Sequence, residues 1–153
     1  MPALADLFPR QVSCRRAVRL AVPAVVAWAV VGDIASLVPG GGMIERVDLE
    51  GEGAGAVRTF HLPGGARIVE RIEEHDPVLR RYVYRIVDGG PLDCVDYLGL
   101  AQVTPAGTQA CILSWAAMAN PVAADADSLR KMLEANLDHA LQAVADHVAG
   151  AVP

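Results

Sequence analysis

The sequence predicts an α+β domain: a seven-stranded curved antiparallel sheet wrapped around one long C-terminal helix, with two short helices after the first strand. Three observations lead there. Turn signals recur at regular spacing from Pro39 to Gly107 with no helical period between them, which implies an antiparallel meander. The segment after Pro121 changes to a helical period. The length of 153 residues, with 53% hydrophobic and 20% charged residues, suits one domain with one core and is too apolar for disorder.

Residues 1–11 read as a loose arm with two prolines, and residues 12–149 as the domain. In 12–20, Val12, Cys14, Val18 and Leu20 share one parity and Ser13, Arg15 and Arg19 the other, with Arg16 breaking the pattern; this is a half-buried strand. Pro23 suits the first turn of a helix through Trp28 to Val31, and 33–37 is expected to form a second short helical turn, stopped by Pro39 and three glycines. Six strands follow, over 43–50, 56–62, 66–75, 80–87, 94–104 and 108–119, separated by glycine- and proline-rich turns. Leu129, Met132, Leu133, Asn136, Leu137, Ala140, Leu141, Val144 and Val148 then recur at 3 and 4, giving an amphipathic helix of about 22 residues that Asp125, Asp127 or Ser128 can cap. Burying its apolar stripe is worth about 1.5–3 kcal/mol for each large side chain. A strongly curved sheet and a single helix do not fill the volume between them, and the space left over suits an apolar ligand.

Composition removes several classes of function. A net charge of −5 with no basic block lacks the footprint of a nucleic-acid binder; Arg15, Arg16 and Arg19 read as a solvated face. Cys14, Cys94 and Cys111 are odd in number and lack CxxC spacing, so they read as small buried hydrophobes rather than disulfides or zinc ligands. The apolar run 20–31 resembles the core of a signal peptide but is too short to span a bilayer, and a buried helix in a cytoplasmic protein is the expectation. The histidines are dispersed and there is no nucleotide or nucleophile-elbow motif, so no metal and no cofactor is expected.

Glu70-Arg71-Ile72, Asp76, Tyr84, the Gly89-Gly90 turn, Tyr97 and Trp115 follow in an order and spacing that resembles the polyketide cyclase/dehydrase branch of the SRPBCC (START/Bet v 1-like) superfamily. That resemblance spans about residues 12–148 and implies the helix-grip fold around a pocket. Leu62, Pro63 and Gly64, between two strands and upstream of Glu70, are similar to the gate loop of the plant abscisic-acid receptors, which implies a lid over the pocket. The turn Gly89-Gly90-Pro91-Leu92 would be its latch, although the receptors carry a histidine, an arginine and a leucine there. Their carboxylate-anchoring lysine has no counterpart, so the pocket geometry and the lid are carried over and abscisic acid is not.

Strand parity sorts the pocket candidates. Ile68, Glu70 and Ile72 oppose Arg67, Arg71 and Glu73; Tyr82, Tyr84 and Ile86 oppose Arg81 and Arg85. Tyr97 and Gly99 would line the sixth strand. Ser114 and Met118 share a parity in the last strand, and the receptor comparison places Ser114 in the pocket. Trp115 has the opposite parity and either packs under the sheet or reaches the cavity through a bulge. Leu129, Leu133, Leu137 and Leu141 would form a floor or mouth. A carboxylate on an apolar face has a raised pKa, so Glu70 is the candidate general acid or base, with Tyr84 beside it. A structural reading stands next to it: Glu70 pairing with a tyrosine hydroxyl, a water or Arg71. The expected function is binding of a small hydrophobic or aromatic, lipid- or polyketide-like molecule, by a monomer or homodimer. The alternative is a cyclase, aromatase or dehydratase that uses Glu70 and the tyrosines for proton transfer; the absence of an inner-face histidine or lysine weighs against it.

Overall fold

Two helices and seven strands follow one another as β1 (Val12–Leu20), α1 (Ala24–Val31), β2 (Arg46–Glu50), β3 (Val57–His61), β4 (Arg67–Asp76), β5 (Arg81–Gly89), β6 (Cys94–Pro105), β7 (Cys111–Pro121) and α2 (Ala126–Ala151) in a computed structural model that describes residues 11–90 and 93–151. The expected arm, apart from Gln11, and Pro91 and Leu92 of the expected latch lie outside the described residues.

The strands form one antiparallel sheet in the order β1-β7-β6-β5-β4-β3-β2. β2 to β7 are a meander joined by short turns, and β1 pairs with β7 in register from Val12↔Ala119 to Leu20↔Cys111. Register shifts interrupt β4–β5 pairing on both sides of the stretch Glu70 to Ile72, and β6–β7 pairing between Val95 and Leu98. Such bulges bend strands and re-aim side chains.

The apolar run 20–31 divides between the end of β1 and α1, whose Ala24, Ala27 and Val31 are buried. No helix among the described residues is long and apolar enough to cross a membrane. The second short helix lies later than expected. Residues 33–37 are irregular, held by Ser36 N–H donating to the Asp33 carbonyl, and a one-turn 3-10 helix occupies Val38–Gly40. Pro39 lies inside this turn rather than stopping a helix before it, because its missing N–H costs nothing in a first turn. β2 is shorter than the expected 43–50, since Met43 is exposed and the ladder begins only after Glu45.

α2 is 26 residues long. Of the three cap candidates Asp125 acts: its carboxylate accepts the Ser128 N–H at 2.8 Å and the Ser128 hydroxyl at 3.0 Å. The helix packs on β1 and β7 and on the 3-10 turn at Val38–Gly40. Arg16, which breaks the β1 pattern, reaches the helix and clasps Asp138 with two bonds of 2.9 Å. β3, β4 and β5 curve away from the helix, and the functional geometry lies in the gap.

Candidate functional site

Strands β3 to β7 each send a large polar or aromatic side chain inward: Arg58 and Phe60 from β3, Glu70 from β4, Tyr82 and Tyr84 from β5, Tyr97 from β6 and Trp115 from β7, all buried. The register brings them together. Arg58 stands opposite Glu70, Tyr84 opposite Gly99, and Trp115 opposite the inward Ala101. The Tyr84 ring lies over Gly99, where a Cβ would overlap its hydroxyl end. Trp115 Nε1–H donates to the Tyr84 hydroxyl at 3.0 Å.

The centre of the cluster is an ion pair. Arg58 Nε donates to Glu70 Oε2 at 2.6 Å, and Arg58 Nη1 donates to the Ile34 carbonyl at 3.1 Å. The guanidinium carbon lies 4.9 Å from the Phe60 ring, 5.1 Å from Tyr84 and 5.2 Å from Tyr82, so three aromatic faces surround the cation. Burial works against the charge on Arg58, but the neighbouring Tyr82, Glu70 and Tyr84 more than offset it and hold the guanidinium protonated. Burial raises the Glu70 carboxyl above its ordinary value, and Arg58 pulls it part of the way back. Burial likewise raises Tyr82, sends Tyr84 well above its usual range and pushes Tyr97 up to about 12.

Two neighbouring spaces adjoin Glu70. An inner chamber of about 150 Å³ is walled by Arg58, Phe60, Glu70, Tyr82, Tyr84, Tyr97 and Trp115, with Leu137 and Ala140 of α2 on its other side and Asp33, Ser36, Pro39, Gly40 and Ile44 at one end. An outer cleft of about 450 Å³ runs between Ile68, Ile86, Val87 and Gly89-Gly90 on one side and Cys94, Val95, Asp96 and Tyr97 on the other, with Arg85 and Asp88 along it. Glu70, Tyr97 and Asn136 line both. The carboxylate therefore stands at the junction, with Oε2 bound to Arg58 and Oε1 making no hydrogen bond among the described residues.

The expected site residues sort as follows. Glu70, Tyr82, Tyr84 and Tyr97 line the inner chamber with Leu137, while Ile68 and Ile86 line the outer cleft. Ile72, Leu129 and Leu133 are wholly buried in the core and border neither space. Ser114 and Met118 are corrections. The inward face of β7 carries Cys111, Leu113, Trp115, Ala117 and Ala119, so both stand on the convex face, where Met118 borders a groove with Val83, Leu98, Leu100 and Ala116. No bulge falls near Trp115; simple alternation puts it inside. Pro63 and Gly64 lie in a one-turn 3-10 bend (Pro63–Gly65) at the β3–β4 hairpin, Leu62 precedes it with extended backbone, and all three border neither space.

The partner of Glu70 is not Arg71, which is exposed and bonded to Glu73, but Arg58, which the sequence reading passed over. The signal was present. A hairpin centred on Gly64 pairs His61 with Arg67 and hence Arg58 with Glu70, on the face opposite Thr59 and Val69. No group of three or more metal-binding side chains occurs among the described residues.

The fold is shared with solved structures of known and unknown role. The Zhui aromatase/cyclase from Streptomyces sp. R1128 superposes with a TM-score of 0.77 at 23% identity, over 94% of this chain and 97% of that one. Norcoclaurine synthase from Thalictrum flavum, solved in complex with dopamine and hydroxybenzaldehyde, gives 0.71 at 17% identity, over 98% and 94%. A protein from Thermobifida fusca gives 0.77 at 27% identity, over 88% and 91%. No curated protein matches the chain. Residues 11–149 match the family described as polyketide cyclase / dehydrase and lipid transport, and this chain is a member of it.

Proposed function

We propose that this protein binds a small hydrophobic or aromatic molecule in the two-lobed cavity, with Glu70 and Arg58 as the polar anchor. One observation carries the reading: a buried ion pair lines a chamber whose other walls are mostly aromatic and aliphatic, beside a cleft of about 450 Å³ that shares Glu70, Tyr97 and Asn136 with it. An apolar cavity with a few convergent polar groups is the general form of a small-molecule site. Binding by a family member named for polyketide chemistry and lipid transport fits it. Cys14, Cys94 and Cys111 are free thiols, which a reducing cytoplasm would keep so. Native mass spectrometry of protein purified from its own host tests the reading. An adduct on the order of a few hundred daltons is expected for a ligand that such a cavity can enclose; a clean apo mass would count against tight carriage.

A second reading, a cyclase or dehydratase, is favoured by Glu70 itself. Burial raises its pKa above the ordinary carboxyl value, the direction that general acid or base work calls for. The adjacent guanidinium, which stays charged, would stabilise an enolate or phenolate oxygen rather than move a proton. Tyr84 is the weaker acid, because its proton is held well above the usual range and its oxygen already accepts the Trp115 N–H. Turnover lost in Glu70→Gln with ligand affinity retained would establish this second reading.

A further inference from the structure

Resting on the binding reading, we infer that the ligand has two parts: a head of one phenolic or enolic ring that fills the inner chamber with its hydroxyl on Glu70 Oε1, and a flexible remainder that lies in the outer cleft. The size difference between the spaces carries the first half. A chamber of about 150 Å³ is of the order that holds one benzene-sized ring, whereas the cleft of about 450 Å³ accepts a much larger group. The walls of the chamber do not yield readily. Tyr84 is locked over Gly99 and bonded to Trp115, and Tyr82 meets the Trp115 ring edge-on at 6.2 Å. Such walls favour a flat ring that can stack or meet them edge-on.

The free oxygen carries the second half. Glu70 is 6% exposed, and Oε2 is committed to Arg58. Oε1 makes no hydrogen bond among the described residues, and Glu70 lines both spaces together with Tyr97 and Asn136. A ligand that seals this oxygen from water without supplying a hydrogen bond leaves it unpaired, so a ligand that supplies one gains selectivity over a ligand that does not. A hydroxyl donates to the carboxylate and also accepts from the carboxylic acid, so it serves Glu70 in either protonation state; a ketone serves only one, and a hydrocarbon neither. A phenolic or enolic oxygen, more acidic than an alcohol, also lies beside the positive charge of Arg58 and makes the stronger, charge-assisted bond.

The test uses the full chain and titrates para-pentylphenol, pentylbenzene and phenanthrol, reading calorimetry and the fluorescence of Trp115 in a Trp28→Phe background. Trp115 walls the chamber and Trp28 does not. Para-pentylphenol should bind about tenfold or more tighter than pentylbenzene, the range expected for one hydrogen bond to a charged group, and should perturb Trp115. Phenanthrol, with three fused rings, should leave Trp115 unchanged. The apolar double variant Arg58→Met/Glu70→Leu should erase the preference for the hydroxyl, and Ala140→Leu, which fills the chamber from the helix side, should abolish the Trp115 response. Equal binding of the two pentyl compounds, or a Trp115 response to phenanthrol, overturns the inference and leaves the binding reading intact. Failure of every probe beside a host-derived adduct of other chemistry does the same. Failure of every probe with a clean apo mass removes both.

Discussion

The concave face of the sheet is solid at one end and hollow at the other. Over β1 and β7, Val12, Leu20, Leu113, Ala117 and Ala119 meet Leu129, Leu133, Val144 and Val148 of α2, all buried, with Ala and Val on the sheet keeping the helix close. Over β3, β4 and β5 the inward residues include Arg58, Phe60, Glu70, Tyr82 and Tyr84, and α2 faces them across the chamber through Leu137 and Ala140 instead of packing closely as it does on β1 and β7. Small side chains let two elements approach and fill space between them; large aromatic and charged ones stand up from the sheet and hold space open. One half thus secures the fold and the other the site, and the two should respond differently to the same kind of damage.

The largest effect is expected in the hollow half, at the ion pair. Glu70→Ala leaves a buried guanidinium without its carboxylate and should destabilise the protein by about 3–5 kcal/mol in chemical denaturation. The pair as a whole is not the source of stability, because taking two charges out of water costs as much as their attraction returns. Arg58→Met/Glu70→Leu should therefore recover most of the loss. If the double variant is as unstable as the single one, the pair is holding the fold rather than furnishing the cavity, and the contrast between the halves fails.

Next comes a matched pair on one helix. Leu133 and Leu137 are one turn apart; the first is wholly buried in the solid half, while the second borders the inner chamber. Leu133→Ala opens a void where none existed and should cost toward the upper end of the about 2–5 kcal/mol seen for such truncations. Leu137→Ala enlarges an existing space and should fall at the lower end, while admitting a second fused ring to the chamber. Urea midpoints and the Trp115 response to a naphthol measure the two effects; equal destabilisation with no change in ring tolerance would show the halves to be packed alike.

Sequence reading fared differently in the two halves for a physical reason. The solid half follows periodicity: Leu129, Leu133, Leu137, Leu141, Val144 and Val148 fall on one helix face, and β1 keeps the bounds that its alternation gives. The curved meander and the cavity followed from element order, and Glu70, Tyr82 and Tyr84 from opposition to outward arginines. The site's second half was hidden because parity in a single strand cannot choose a face when both faces are apolar. In β7, Ile112, Ala116 and Met118 look as suited to a core as Leu113, Ala117 and Ala119, and only pairing with Ala101 decides for Trp115. Arg58 was passed over for the opposite reason. A charge in a strand reads as solvent-facing, and its burial becomes expected only when the hairpin register sets it against Glu70. The second short helix moved because Pro39 was read as a stop signal, when a proline also serves as a first-turn residue.

A smaller effect is expected from Gly99→Ala. The new Cβ would overlap the Tyr84 ring, forcing it off Gly99 and into the inner chamber. Overpacking of this kind costs about 1–3 kcal/mol. Ligand-ring binding should suffer more than stability, since the displaced ring occupies the ligand's place. A variant that loses stability but binds as before would mean that Tyr84 moves outward, away from the cavity.

The smallest effects distinguish the halves by sign. Burial raises Glu70 above the ordinary carboxyl value, so its contribution to stability is complete below the unfolded value, about 4.3, and is lost as pH rises through the folded one. The bonds from Arg16 lower Asp138, so its contribution is present above the unfolded value, about 3.9, and is lost as pH falls through the folded one. Asp138 is half exposed, and its effect should be slight and shrink with added salt. Measured as the difference in urea midpoint from wild type, Glu70→Gln should gain relative to wild type on going from pH 4 to pH 8. Asp138→Asn should instead close its deficit as pH falls toward 3. The same slope in both variants would place Glu70 below its ordinary value. Arg58 would then dominate over burial, and the carboxyl at the junction would be a fixed anion that anchors a ligand but does not exchange protons with it.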